Sequence, residues 1–83
     1  TIARHYAEEN ILTYTVSPGV VRTRMSEEYA ISTNGEDAIT QSLAMKEWVP
    51  PSDLANLVSY LSSGSCRHLT GATLDVNGAS YLR

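Results

Sequence analysis

The stretch ILTYTVSPG, residues 11–19, constrains this chain more than any other. It is a run of β-branched and aromatic residues. Apolar side chains occur at both parities: Ile11 and Leu12, then Tyr14 and Val16. A strand with one wet face would alternate. Apolar residues at both parities predict a strand covered on both faces, as in a parallel sheet flanked by helices. Pro18 closes the run, because proline has no N–H to give to a ladder. Gly19 follows at once. The most rigid residue beside the most permissive one implies one of two things. Either the chain turns tightly, or something lies so close to the backbone that a Cβ would intrude.

The flanks extend this reading. TIARHYAEEN carries Ile2, Ala3, Tyr6 and Ala7 at helical spacing, and Asn10 is a stop signal because asparagine tolerates the left-handed conformation. With no initiator methionine, the sequence reads as opening inside a helix, as a segment of something longer. Residues 26–49 mix acidic, small and polar side chains. Weak helices are expected near 26–31 and 36–46, with Asn34-Gly35 as the turn between them. Pro50-Pro51 break the chain, Ser52 is the expected N-cap, and Asp53 suits the positive end of a helix. Leu54, Leu57, Val58 and Leu61 fall at i, i+3, i+4 and i+7, one apolar stripe of a helix over 52–62, and Gly64 is its stop. SCRHLTG is a loop. ATLDV alternates as a strand, and Asn77-Gly78 ends it. Helix end, strand, long excursion, helix and strand make a βαβ unit, which requires parallel strands and a right-handed crossover.

The totals narrow the function classes. At 83 residues the chain is one small domain at most, with a thin core. Its net charge of −3 is spread along the chain, which argues against nucleic acid as a partner. Arg22 and Arg24 form a close basic pair, and two charges are not a patch. Cys66 is the single cysteine, so no internal disulfide forms, and a reducing cytoplasm fits. No apolar run approaches the roughly 18 residues of a membrane span. No Cys, His and Asp cluster has metal-ligand spacing.

Three pieces, in order, resemble the C-terminal third of the short-chain dehydrogenase/reductase family. TVSPGVVRTRM is similar to that family's strand-end motif, a Pro-Gly followed by two aliphatics, a variable residue and a threonine. VPPSDLANLVSYLSS is similar to its proline-led helix. HLTGATLDVNGA is similar to its closing Thr-Gly, strand and Asp-x-x-Gly. The resemblance implies an α/β fold, the C-terminal part of a Rossmann-type doubly wound parallel sheet, with residues 1–83 as one segment of a single NAD(P)-binding domain. It implies NAD or NADP as cofactor and a small-molecule carbonyl or alcohol as substrate. The remainder of the dehydrogenase chain and a homo-oligomer are the implied partners.

The same resemblance assigns cofactor contact to Pro18, Gly19, Val21 and Thr23. Backbone groups at Val21 would meet the nicotinamide carboxamide, and the Thr23 hydroxyl an amide oxygen or a phosphate. Residues 26–49 would be the substrate lid, or else an ordinary pair of surface helices. Arg22 and Arg24 are read as solvated loop charges, with steering of an anion as the alternative. Tyr29 and Trp48 line a pocket or simply pack. Cys66 is read as an inert loop thiol, and Asp75 as structural or interfacial. Leu74, Val76 and the outer face of the 52–62 helix are expected against another subunit, since the last strand is a sheet edge.

The family's glycine-rich dinucleotide loop, its catalytic serine and its Tyr-x-x-x-Lys pair are missing. Lys46 is the sole lysine, and Ser42 stands four residues before it. Catalytic residues in this chain: none. It is expected to be inactive by itself, since proton transfer needs a general acid of suitable pKa. The rival reading is a non-catalytic oligomerising or binding module of the same fold. A different α/β enzyme that shares a Pro-Gly turn is a further alternative, against which the Thr-Gly-strand-Asp-x-x-Gly ending speaks.

Overall fold

A computed structural model describes residues 1–32 and 35–82. The expected Asn34-Gly35 turn therefore lies partly outside the described residues. Helix α1 spans Ile2–Tyr6, capped by the Thr1 side chain, which accepts from the Arg4 N–H at 3.3 Å. A 3-10 turn, Ala7–Glu9, follows and ends at Asn10 with φ 62°, the left-handed stop that the sequence predicts. Arg67 Nε donates to Asn10 Oδ1 at 2.7 Å and pins this corner to the far end of the chain.

Strand β1 covers Thr15–Pro18 and β2 covers Thr73–Val76. They pair in parallel, with Val16 opposite Leu74 and Pro18 opposite Val76. The regular ladder is thus shorter than residues 11–17, and it includes Pro18. Both differences have a physical cause. The Thr15 N–H donates to Ala72 O and the Gly19 N–H to Val76 O, so odd-numbered donors face β2. Pro18 is even, and its missing donor faces the open edge, where proline is tolerated. Further upstream a side chain replaces the ladder. Thr13 N–H donates to Thr70 Oγ1 at 2.9 Å, and Gly71 N–H returns a bond to Thr13 O at 2.7 Å.

Side-chain parity sorts the two faces. Leu12, Tyr14 and Val16 line one side with Val58 and Leu61 of helix α4, Pro51–Ser62, across an open groove of about 410 Å³. Thr13, Thr15 and Thr73 line the other side with Ile2 and Ala3 of α1. The register puts Leu74 on the α4 side with Val16, and Val76 borders Pro50 and Asp53 at the start of α4. Leu74 and Val76 therefore stand half-buried on the α4 face of the sheet. Helix α4 also starts one residue early. Pro51 takes the first helical position, where its lost N–H costs nothing, and Ser52 lies inside the first turn rather than capping it. Gly64, at φ +72°, donates to Leu61 O and ends the helix as expected.

The excursion between β1 and α4 holds most of the core. Helix α2 is Arg24–Ser32 and α3 is Glu36–Ser42, longer and shorter respectively than the sequence pattern predicts. A parallel bridge between Val21 and Val49 closes the base: Arg22 N–H donates to Val49 O and Val49 N–H to Val20 O. Inside this loop Ala30, Leu43 and Trp48 are buried together, with Val20 and Ile39 packed against them. Val49 at the base is buried too, and outside the excursion Leu61 is the one residue buried to the same degree among those described. The radius of gyration is 15.8 Å, against about 12 Å for a compact domain of this length, so the chain is elongated.

Candidate functional site

The carboxyl end of β1 is where a parallel α/β sheet offers its ligand crevice. Pro18 and Gly19 stand there, both exposed. A Cβ built on Gly19 would come 2.7 Å from Asn77 Cβ and 2.9 Å from Asn77 Cα. So the close approach that Pro-Gly implies is real, and the neighbour is the turn after β2. Glycine is needed here by the protein's own packing, whatever else lies on the exposed side.

Val21 follows in extended conformation. Its bridge to Val49 uses the flanking groups, Val20 O and Arg22 N–H, so the N–H and C=O of Val21 itself face the other way. The Val21 carbonyl accepts from Ser26 Oγ. Its N–H makes no backbone hydrogen bond among the described residues. An outward amide beside an exposed glycine at a strand end is a donor ready for an amide oxygen.

Thr23 and Ser26 cap α2 reciprocally, a feature the sequence reading missed. Ser26 N–H donates to Thr23 Oγ1 at 3.2 Å, and Thr23 N–H to Ser26 Oγ at 3.1 Å. The two hydroxyl oxygens are 2.6 Å apart. Since the Ser26 proton goes to Val21 O, the Thr23 proton points at Ser26. The Thr23 oxygen is thus an acceptor held in place by its own cap. The signal was present as Thr-x-x-Ser at 23–26, in the position of a capping box but with serine where glutamate is usual.

Arg22 is not a free loop charge. Its guanidinium donates to Glu27 at 3.2 Å and to Glu36, and it stacks 4.7 Å from the Trp48 ring centroid. The hydrogen bond to Glu36 is the main reason its pKa lies above the ordinary arginine value. Its charge joins α2, α3 and Trp48. Arg24 is the solvated one, 93% exposed and paired with Glu28 along the helix. Trp48 packs: it is 5% exposed and donates from Nε1 to Thr40 Oγ1 at 3.0 Å. Tyr29 lies at the surface of α2.

Away from this end, Cys66 is half-buried near Tyr60 and raises the phenol above its usual pKa. Among the described residues no group of three or more His, Cys, Asp or Glu could hold a metal, and no helix is long and apolar enough to cross a membrane. The assembled residues offer backbone donors and hydroxyl acceptors. Carboxylates stand nearby as well: Glu47 and Asp53 line a small pocket with Val76 and Gly78 at the end of β2.

A parallel α/β unit with an exposed strand end is the class that fold and site define. The particular family follows from comparison. The family model for enoyl-(acyl carrier protein) reductase matches residues 1–79. The 3-oxoacyl-(acyl-carrier-protein) reductase FabG of Staphylococcus epidermidis is 32% identical over 82 residues, 99% of this chain and 33% of that protein. Among solved structures, a 3-oxoacyl-(acyl-carrier protein) reductase from Brucella melitensis in complex with NAD superposes with a TM-score of 0.81 at 29% identity, covering 99% of this chain and 32% of that one. YwfH, an NADPH-dependent reductase involved in bacilysin biosynthesis, superposes with a TM-score of 0.90 over 99% of this chain and 34% of its own, and at 22% identity it speaks for the fold alone. The chain belongs to the short-chain dehydrogenase/reductase family. It spans about a third of the length of the curated relatives it matches.

Proposed function

We propose that this chain is the carboxyl-side part of an NAD(P)-dependent oxidoreductase that moves a hydride between a nicotinamide and a carbonyl or alcohol carbon. In this reading Pro18, Gly19, Val21 and Thr23 hold the nicotinamide side of the cofactor, and residues 26–49 are the lid over the substrate. The nicotinamide, when bound, supplies or accepts the hydride. The chain's own residues bind and orient. The Val21 N–H donates to the carboxamide oxygen, the exposed side of Gly19 lets a flat ring approach, and the capped Thr23 oxygen accepts. The acid–base groups lie outside these 83 residues, so the segment alone is inactive. The sheet faces need cover from the remainder of the domain, and a homo-oligomer is the expected assembly.

The observation that carries this reading is the outward Val21 amide at the end of β1, freed by the bridge to Val49. The relatives support it: a Brucella melitensis reductase of 29% identity was solved with NAD. The fit is good in one further respect, since the ring would approach from the side of Gly19 that Asn77 does not occupy.

Titration of the intact protein with NADH and with NADPH, followed by nucleotide fluorescence, tests it. Val21→Pro deletes the amide hydrogen, and Val21→Ala keeps it. Affinity is expected to fall about three- to tenfold in the proline variant relative to the alanine one, the net worth of a single hydrogen bond. Equal affinity in the two variants would remove Val21 from the site.

A further inference from the structure

The turn that follows β2 touches two places at once. On one side Asn77 lies against Gly19, close enough that a Cβ there would stand 2.7 Å from its own. On the other side the excursion's trailing end is bonded to the same turn. Ala44 N–H donates to Ser80 Oγ at 3.0 Å, and a Cβ on Gly78 would stand 2.9 Å from Met45 Sδ. The turn is closed internally by Ser80 N–H to Asn77 O at 3.1 Å and by Asn77 Nδ2 to Tyr81 O at 2.9 Å.

Strain marks the same contact. Gly78 and Ala79 both have positive φ, 59° and 64°, and Lys46 on the facing segment has φ 57°. Non-glycine residues avoid this region, because Cβ crowds the neighbouring carbonyl there. Of the three non-glycine residues with positive φ among those described, two stand at this junction. Such conformations persist where surrounding contacts hold them.

We propose that the turn at residues 77–81 is a positioning device that fastens the excursion's trailing end, residues 44–46, to the Pro18-Gly19 turn. A nicotinamide seated on Pro18-Gly19 and the excursion are then coupled through one element. Asn77 is the positioning residue on the cofactor side and Ser80 on the excursion side. The coupling half of this inference rests on the cofactor reading given above, whereas the tether itself does not. Linkage makes the effect reciprocal: whatever holds the excursion down tightens the cofactor turn, and the reverse.

Lys46 supplies the readout. It is the sole lysine in these 83 residues, it is exposed, and it sits in the tethered segment. A lysine-specific protease cuts after it only when that segment lifts. Cleavage of the intact protein at Lys46, mapped by mass, is to be timed for wild type and Ser80→Ala, with and without a saturating amount of whichever of NADH and NADPH the titration shows to bind. Ser80 is exposed, so its truncation leaves the core untouched. Without nucleotide, Ser80→Ala is expected to be cut roughly three- to tenfold faster, the effect of losing one hydrogen bond from a local opening equilibrium. That nucleotide is expected to slow cutting in wild type and to lose most of that protection in Ser80→Ala. Equal rates without nucleotide overturn the tether. Equal protection in the two proteins overturns the coupling. If fluorescence shows that neither NADH nor NADPH binds wild type, the cofactor reading falls and the coupling with it, while the nucleotide-free rates still decide the tether.

Discussion

The excursion and the sheet solve opposite problems. The excursion is closed at its base by the Val21–Val49 bridge, carries its own core of Ala30, Leu43 and Trp48, and is laced by Arg22 to Glu27 and Glu36. The sheet has two strands, both with a free edge, and neither face is filled. Its side chains are half-exposed at best, and its α4 partner stands across a groove. Two parallel strands are a poor independent unit, and parallel sheets are stable when covered on both sides. The difference teaches where each part gets its order. The excursion takes it from its own residues. The sheet takes little from its own side chains, with α4 across a groove on one face and α1 beside the other.

Removing the excursion's central side chain should produce the largest effect. Trp48→Ala deletes a buried ring, its bond to Thr40 and the surface on which Arg22 stacks. Large aromatic truncations in cores cost about 3–5 kcal/mol. Hydrogen exchange on the intact protein is expected to show loss of protection over α2 and α3, with β1 and β2 retained. A uniform loss across both regions would break the contrast, because it would mean that the excursion and the sheet unfold as one unit.

Gly19→Ala comes next, because it strikes the joint between the regions. The added methyl meets Asn77 Cβ and Cα, one of them backbone, so the β2 turn must shift. Overpacking of this kind costs about 1–3 kcal/mol. Asn77→Gly in the same protein removes the Cβ clash and leaves the Cα one, so a partial rescue of the melting temperature is expected. No rescue would place the cost elsewhere, in an approach to Gly19 from its exposed side.

Much of this was legible in the residues. The parallel strands, the Asn10 stop, the α4 stripe and the Gly64 stop follow from local rules, because each rests on a residue's own backbone preference or on periodicity. What stayed hidden depends on partners distant in sequence. Nothing in Arg22 tells that Glu36 and Trp48 will surround it, so it reads as a solvated charge. Nothing in Gly19 tells that its neighbour is Asn77, 58 residues on. The length of β1 was overread because Thr13 finds a hydroxyl where a strand would offer a carbonyl. The placement of Leu74 and Val76 on the α4 face needed the register, which alternation alone does not give.

The smallest effect separates the two duties of Thr23. As a cap it serves the excursion, and as an acceptor it would serve the cofactor turn. Thr23→Ala removes both, and loss of an N-cap costs about 1 kcal/mol. Ser26→Ala removes the reciprocal bond and the contact to Val21 O but leaves the Thr23 oxygen in place. If Thr23 only caps, the two variants should weaken nucleotide binding to a similar degree, in step with their stability. If Thr23 touches the cofactor, Thr23→Ala should lose more affinity than Ser26→Ala at matched stability, and Thr23→Ser should restore it. The second pattern is the expected one. It would mean that the excursion's first helix is started by a residue of the cofactor site, so the self-sufficient region begins where the dependent one ends.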